Sequence, residues 1–347
     1  MKAVVLQKGN QLALEEVSKP EIIDPDDIVV KVTTAAICGS DVHIKYGEIP
    51  GIPPGTVIGH EFVGLVDDVG PAVTRFSPGD RVDVAAGLWC GYCPACRRGE
   101  IQNCSQGAVF GGGMFRGKLL QGTQTEYVRV PNADMCAMKI PKGVSDEQAV
   151  LVGDVFSTGY HAAREGNIDT GDVVAVFGCG PIGLAAVISA NLFGPKRVYA
   201  VDVFENRLAL AKKYGAVTIN ASSEDPISRI MSDTDMDGVD IAIEAVGQPK
   251  VLGQAIGSIR RGGTVSVVGL FPGSFELPLQ MLGLYGFRLS MGLANLAYMN
   301  QLMAMVENGN VNLSDFCTHT FPLDQAMEAY ELFEQHKDQC LKVMLKV

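Results

Sequence analysis

Val173-Val174-Ala175-Val176-Phe177-Gly178-Cys179-Gly180-Pro181-Ile182-Gly183 is the stretch that decides the fold. Its first five residues are apolar and valine-rich, which reads as a strand buried on both faces. The glycine-rich turn then opens an apolar run, residues 182–193, that reads as a helix. A GxGxxG pattern arises by chance where glycine is abundant, and here 40 of 347 residues are glycine against a usual ~7%. Context gives the pattern weight, because a second apolar strand at 198–201 follows and ends in Asp202. Gly178 allows the tight turn, Gly180 lets the backbone approach a pyrophosphate, and Gly183 lets helix and strand pack closely. Pro181 and Ile182 begin the helix, whose free N–H groups face the anion. Asp202 can accept hydrogen bonds from ribose hydroxyls and repel a 2′-phosphate, which favours NAD over NADP. Taken alone it is an ordinary strand-end acid. Arg207, at the start of the next helix, either covers the ribose edge or is a surface arginine.

Outward from this motif the alternation continues, with a helix at 206–214 and buried strands at 240–245 and 263–268. Apolar strands alternating with helices make an α/β unit with a doubly wound parallel sheet. Val246, Val268, Gly269 and Leu270 end its later strands, where a dinucleotide meets the sheet. The run 271–279 reads as a further strand able to extend the sheet across subunits. The first 150 residues are β-rich and irregular, with strands at 28–32 and Arg81–Val84 and a turn at Ser77-Pro78-Gly79-Asp80. At the far end, residues 323–335 read as an amphipathic helix and 341–347 as a closing strand. A chain of 347 residues suggests about two domains.

Composition narrows the function. With 28 Lys+Arg against 39 Asp+Glu the net charge is −11, which opposes binding to a phosphate backbone. Hydrophobic residues at 47% and charged ones at 19% exclude a disordered chain. The N-terminal residues carry no leader-like apolar region. Residues 173–194 are uncharged over a membrane-spanning length, but Gly178, Gly180, Pro181 and Gly183 make a strand, a turn and a helix start the better reading. A cytoplasmic protein without membrane attachment is expected, where thiols stay reduced.

The nine cysteines point to metal before disulfides. Cys90, Cys93, Cys96 and Cys104 have the spacing C-x2-C-x2-C-x7-C inside a glycine-rich lobe, 87–122, that lacks a hydrophobic pattern. Four thiolates close a tetrahedral Zn²⁺ site with no open position, the structural type. A second group is dispersed: Cys38 in Cys38-Gly39-Ser40-Asp41-Val42-His43, His60 and Glu61, and Asp154. Cys, His and Asp make a three-ligand set that leaves a fourth position open. Spacing alone leaves a buried Cys, a core His and a turn Asp as alternatives.

These elements in this order resemble the zinc-dependent alcohol dehydrogenases of the medium-chain dehydrogenase/reductase superfamily, over essentially the full chain. The resemblance implies a GroES-like catalytic domain at 1–153 and 294–347, carrying the zinc lobe, and a Rossmann domain at 154–293. It implies two zinc ions per subunit, the catalytic one on Cys38, His60 and Asp154, with NAD as cofactor. Where usual members have a cysteine as third ligand, this chain has Asp154, before Phe156-Ser157-Thr158-Gly159-Tyr160. That aspartate is similar to the secondary-alcohol and formaldehyde dehydrogenase branch.

The implied reaction is reversible hydride transfer between a secondary alcohol or ketone on the zinc and NAD. In family terms Ser40 accepts the proton and passes it toward His43, Asp41 orients His60, and Glu61 lies beside the metal. Thr158 lies by the nicotinamide, and Lys342 corresponds to a basic contact to the pyrophosphate. Trp89, Phe110, Phe115, Leu270 and Leu293 are candidate walls of the substrate pocket. A small alcohol or carbonyl substrate and a homo-oligomer, dimer or tetramer, are implied as partners. Formaldehyde or polyol oxidation, and a non-catalytic NAD(H)-binding protein, are the competing readings; retention of Cys38, Ser40, His60 and Asp154 together opposes the last.

Overall fold

In the computed structural model, which describes residues 1–284 and 286–347, the chain forms two units. One holds Met1–Asp154 and Asn295–Val347, the other Val155–Ala294.

The second unit is built on a six-stranded sheet, every neighbouring pair parallel. Its spatial order is Val217–Asn220, Arg197–Asp202, Val173–Phe177, Val239–Glu244, Ile259–Val267, Arg288–Met291. The order reverses beside Val173–Phe177, and ligands bind such sheets at the carboxyl ends of the strands flanking that reversal. Phe177, Tyr199, Ile219, Ala242 and Val265 join one fully buried cluster, so the sheet interior is apolar as its valine-rich strands require. Helices Ser157–Glu165 and Pro181–Asn191 cross at Gly159, where a Cβ would stand 2.5 Å from the Ala185 carbonyl carbon. No side chain larger than hydrogen fits that crossing.

Residues 271–279 do not form the expected strand. Pro272 and Pro278 remove two N–H donors and Gly273 stiffens nothing, so the edge position goes to Arg288–Met291. The strand at 263–268 is also longer than its sequence pattern suggests: it begins at Ile259, and its register slips between Val239 and Ile241 of the neighbour.

The first unit is organised around the ten-residue strand Ile28–Ile37. On one side it pairs antiparallel with Glu61–Val69, and on the other with the C-terminal strand Lys342–Lys346. Ala36 lies opposite Glu61 and Ile37 opposite Val343, so three strands reach one end of the sheet together. Phe110, expected to line a pocket, is fully buried and meets Phe62 edge-on at 5.6 Å, a core contact. Trp89 and Phe115 are buried as well, whereas Leu270 and Leu293 are exposed.

Asp83, in the strand Arg81–Val84, is fully buried and neither carboxylate oxygen meets a hydrogen-bond partner. Burial pushes its pKa well above the ordinary value, and the nearby Glu61 adds to the effect. The folded chain therefore keeps a proton that the unfolded chain has released, and stability falls as pH rises above the ordinary carboxyl range. Asp83→Asn removes that penalty. Its thermal stability relative to the parent should rise steadily between about pH 5 and pH 8, followed by circular dichroism melts; a difference independent of pH contradicts a protonated Asp83.

Candidate active site

The strand Ile28–Ile37 delivers Cys38, which precedes the helix Gly39–Lys45. Asp41, in the first turn, accepts the Cys38 backbone N–H at 2.9 Å and is itself fully buried. His60 directly precedes the strand Glu61–Val69. Asp154 lies in a π-helical turn, Val152–Phe156, an irregularity that re-aims a side chain within a helical path. Ahead of it, a Cβ at Gly153 would stand 2.7 Å from the Val84 carbonyl oxygen, so only glycine lets this turn approach the sheet.

One ligand atom each from Cys38, His60, Glu61 and Asp154 lies within 4.8 Å of the others. His60 Nε2 is 3.7 Å from Asp154 and 3.8 Å from Glu61, while its Nδ1 faces Asp41 at 3.4 Å. The imidazole thus turns one nitrogen to the cluster and the other to a carboxylate that can hold its proton. Burial opposes a charge on His60, yet Asp41, Cys38 and Asp154 together raise its pKa well above the ordinary value. The site's field favours positive charge where the four donors converge. The second oxygen of Glu61 is buried and unpartnered. Soft and hard donors around a buried, cation-favouring point fit a divalent metal ion.

Glu61 is held by Lys342, whose ammonium bonds Glu61 Oε1 at 2.5 Å with both side chains almost wholly buried. Burial pushes the Glu61 pKa up against the pull of Lys342. For Lys342 burial opposes the charge, and Glu61 overcomes it to hold the group above its usual value. Lys342 was expected at a pyrophosphate. The structure instead buries its ammonium on Glu61, because a cation without water needs an anion at hand. Its sequence signal was a lysine inside the apolar run Leu341-Lys342-Val343-Met344-Leu345. The Ser40 hydroxyl lies 3.4 Å from His60 Nε2. His43, partly exposed, is bonded to Glu48.

The lobe holds a second cluster, Cys90, Cys93, Cys96 and Cys104. Cys90 and Cys96 sulfurs are 3.9 Å apart, as are those of Cys93 and Cys104. A tetrahedron with Zn–S bonds of ~2.3 Å has edges of about 3.8 Å. Backbone N–H groups of Cys90 and Cys93 point at sulfurs of the cluster at 3.3 Å, as thiolates prefer. All four thiols are free of disulfides.

In the second unit Gly178 adopts φ +92°, the turn that only glycine makes without strain. A Cβ at Gly183 would stand 1.8 Å from the Gly178 carbonyl oxygen, so the helix rests directly on the turn. Gly180 is different: a Cβ there would meet only Arg207 Nη1, at 3.9 Å. Its lack of a side chain leaves room beside a guanidinium at the start of the helix Pro181–Asn191, where a phosphate could be held. Asp202 accepts the backbone N–H groups of Cys179, Val203 and Phe204, which fix its carboxylate at the strand end. Val246 and Gly247 donate to Glu244, and Gly247 lies so close to Leu270 that a Cβ would be 2.1 Å from its carbonyl oxygen. These turns, with Val268 and Gly269, close the carboxyl end of the sheet. Thr158 is half-buried on the helix Ser157–Glu165.

Residues 24–142 match the alcohol dehydrogenase GroES-like domain, and residues 181–308 the zinc-binding dehydrogenase domain. An alcohol dehydrogenase of Cupriavidus necator is 35% identical over 367 positions, covering 100% of this chain and 98% of that one. The chain belongs to the zinc-dependent alcohol dehydrogenase family. It is an oxidoreductase that works with zinc and a nicotinamide dinucleotide. Sorbitol dehydrogenase of Bacillus subtilis is 34% identical over 360 positions, covering 99% of this chain and 97% of its own. Alcohol dehydrogenase TADH from Thermus sp. ATN1 has the same fold, with a TM-score of 0.93, 39% identity and complete coverage of both chains.

Two of the three glycines of the fingerprint should separate by experiment. Gly180→Ala should melt near the parent temperature yet weaken NADH binding, read by fluorescence titration, by about tenfold or more, roughly 1.4 kcal/mol. Gly183→Ala should instead lose about 1–3 kcal/mol or more of stability from overpacking. Equal effects of both on melting would contradict the distinction.

Proposed function

We propose that the chain interconverts secondary alcohols and ketones using NAD(H), with Cys38, His60 and Asp154 holding a catalytic zinc and the four lobe cysteines a structural one. The observation that carries this reading is the convergence of Cys38, His60, Glu61 and Asp154 donor atoms within 4.8 Å. A zinc ion bound there supplies Lewis acidity that lowers the pKa of an alcohol, and NAD supplies the hydride acceptor.

The residues do the rest. A Cys38 thiolate and an Asp154 carboxylate balance a divalent charge, and Lys342 balances Glu61, so the Asp41 carboxylate facing His60 leaves the site with one net negative charge. Asp41 keeps the proton of His60 on Nδ1 and leaves Nε2 for the metal. Ser40 takes the alcohol proton, and His43, at the partly exposed end and bonded to Glu48, exchanges it with water. Asp202 directs the chain to NAD: its fixed carboxylate accepts ribose hydroxyls and repels a 2′-phosphate, with Arg207 along the phosphate path.

Two further features fit the same reading. The outer edge of Arg288–Met291 has no partner strand among the described residues, and Met291 and Leu293 beside it are exposed. An open apolar sheet edge favours pairing with a second copy, which supports a homo-oligomer. Five thiolate ligands suit a reducing compartment, which supports the cytoplasm. The likeness to a sorbitol dehydrogenase favours polyol oxidation as the second reading.

A panel of 2-propanol, 2,3-butanediol, sorbitol, threonine and formaldehyde, followed by NADH absorbance, separates these. Highest kcat/KM on 2-propanol is the expected result, and highest on sorbitol selects the second reading. Metal analysis should find two zinc per chain in the parent and one in His60→Ala, which also loses activity. Cys93→Ser should lower the melting temperature before it lowers kcat in the folded fraction. Asp202→Asn keeps the side chain's shape without its charge, and its preference for NAD over NADP should fall about tenfold or more; an unchanged preference removes the ribose assignment.

A further inference from the structure

Gln124 lies in the segment Gly122-Thr123-Gln124-Thr125 and is fully buried. Its amide nitrogen donates to the Ala36 carbonyl at 3.2 Å and to Asp41 Oδ2 at 3.1 Å. Its amide oxygen accepts the Tyr330 hydroxyl at 2.8 Å. The amide orientation follows from chemistry: Ala36 O and the Asp41 carboxylate are both acceptors, so the NH₂ group must face them. The carbonyl is then left for Tyr330, a buried phenol whose pKa burial drives well up, so that it stays a donor.

The same side chain covers the approach to His60. A Cβ on Gly59 would stand 2.5 Å from Gln124 Cγ, and Gly59 sits at φ +92°. The Gln124 backbone N–H also bonds the Ile58 carbonyl at 3.0 Å. Gln124 therefore touches the strand that leads to Cys38, the carboxylate that faces His60, and the backbone that precedes His60. No other described side chain makes all three contacts in the hydrogen bonds and close approaches above.

We infer that Gln124, locked by Tyr330, is a positioning residue for the catalytic metal site, acting through Asp41 on His60. The chain Tyr330–Gln124–Asp41–His60 runs from the helix Ala326–Gln335 to the metal-facing imidazole. Without the Tyr330 hydroxyl the amide is free to turn its oxygen toward Asp41, where it repels the carboxylate instead of holding it. Without the amide, Asp41 Oδ2 keeps only the Cys38 N–H, and the His60 ring loses a fixed partner. The inference rests on the metal-site reading proposed above.

The test is the release of zinc from the full chain to a colorimetric chelator, with Cys93→Ser and His60→Ala assigning the lobe and catalytic phases. Groups that orient metal-binding histidines change metal affinity by roughly 10–100-fold. In Tyr330→Phe the catalytic phase should speed up about tenfold, in Gln124→Leu by more, and in the double variant no further than in Gln124→Leu alone. The lobe phase should not move in any of them, which separates positioning from general destabilisation. The visible bands of the Co²⁺-substituted catalytic site should shift in both single variants. Unchanged catalytic release in folded Tyr330→Phe overturns the inference, as do effects that multiply in the double variant. A parent chain that takes up a single zinc overturns the metal-site reading and this inference with it, whereas two zinc with unchanged release overturns this inference alone.

Discussion

Two opposite charges cut off from water, Lys342 and Glu61, meet at the end of the sheet in the first unit. A buried ion pair gains little stability over apolar packing, but losing one partner costs about 3–5 kcal/mol. The pair therefore acts as a constraint on everything around it. Glu61 stands opposite Ala36, and the residue after Lys342 stands opposite Ile37, so the charges meet across the strand that ends at Cys38. Closing the pair ties the C-terminal strand to the central one and fixes the direction of the Glu61 side chain, next in the chain to His60. The metal-site donors then need only Asp154, which the glycine before it lets in.

The cradle in the second unit rests on a different constraint, steric contact between backbone atoms. Gly183 lies against the Gly178 carbonyl, and Gly247 against Leu270, at separations no Cβ permits. A Cβ at Gly180 would meet only the Arg207 guanidinium, at 3.9 Å. Gly178, Gly180 and Gly183 of one motif thus have two kinds of cause: Gly178, whose Cβ would stand 2.4 Å from Val246, and Gly183 fix the protein's own packing, while Gly180 leaves room that a ligand could take. The pattern GxGxxG does not distinguish them, and the coordinates do.

Much of this was legible in the sequence wherever cause and effect lie close along the chain. Val173–Phe177, the helix after it and Asp202 follow from local periodicity and from the turn between them. The lobe cysteines span 15 residues, so their spacing alone states the ligand count and the site type. The run 271–279 misled because its apolar residues suggested a strand while its two prolines denied the ladder. Lys342 misled for another reason: its partner is 281 residues away, and a lone basic residue in a strand does not reveal which anion it meets. Gln124 and Tyr330, 206 residues apart, gave no signal beyond a polar residue between threonines and an aromatic on a helix face. Hydrogen bonds that close long loops are invisible until the fold supplies the neighbours.

The two metal clusters differ in the same way, and the difference bears on chemistry. The lobe site takes all four donors from one short loop, so its metal and its loop order one another with little help from the rest of the unit. Cys38, His60 with Glu61, and Asp154 come from three segments far apart in the chain, each fixed by the sheet, the helix Gly39–Lys45 or the turn Val152–Phe156. Such a site exists only in the folded unit, where the sheet, the helix and the turn set the spacing of its donors. A donor set held by the fold need not reorganise when substrate enters, which is what a Lewis-acid centre would require of the protein around it. The replacement of a thiolate by Asp154 keeps the charge and exchanges a soft donor for a hard one. A harder donor gives less electron density to a metal than sulfur does, so a zinc held by Asp154 would keep more of its pull on an alcohol oxygen.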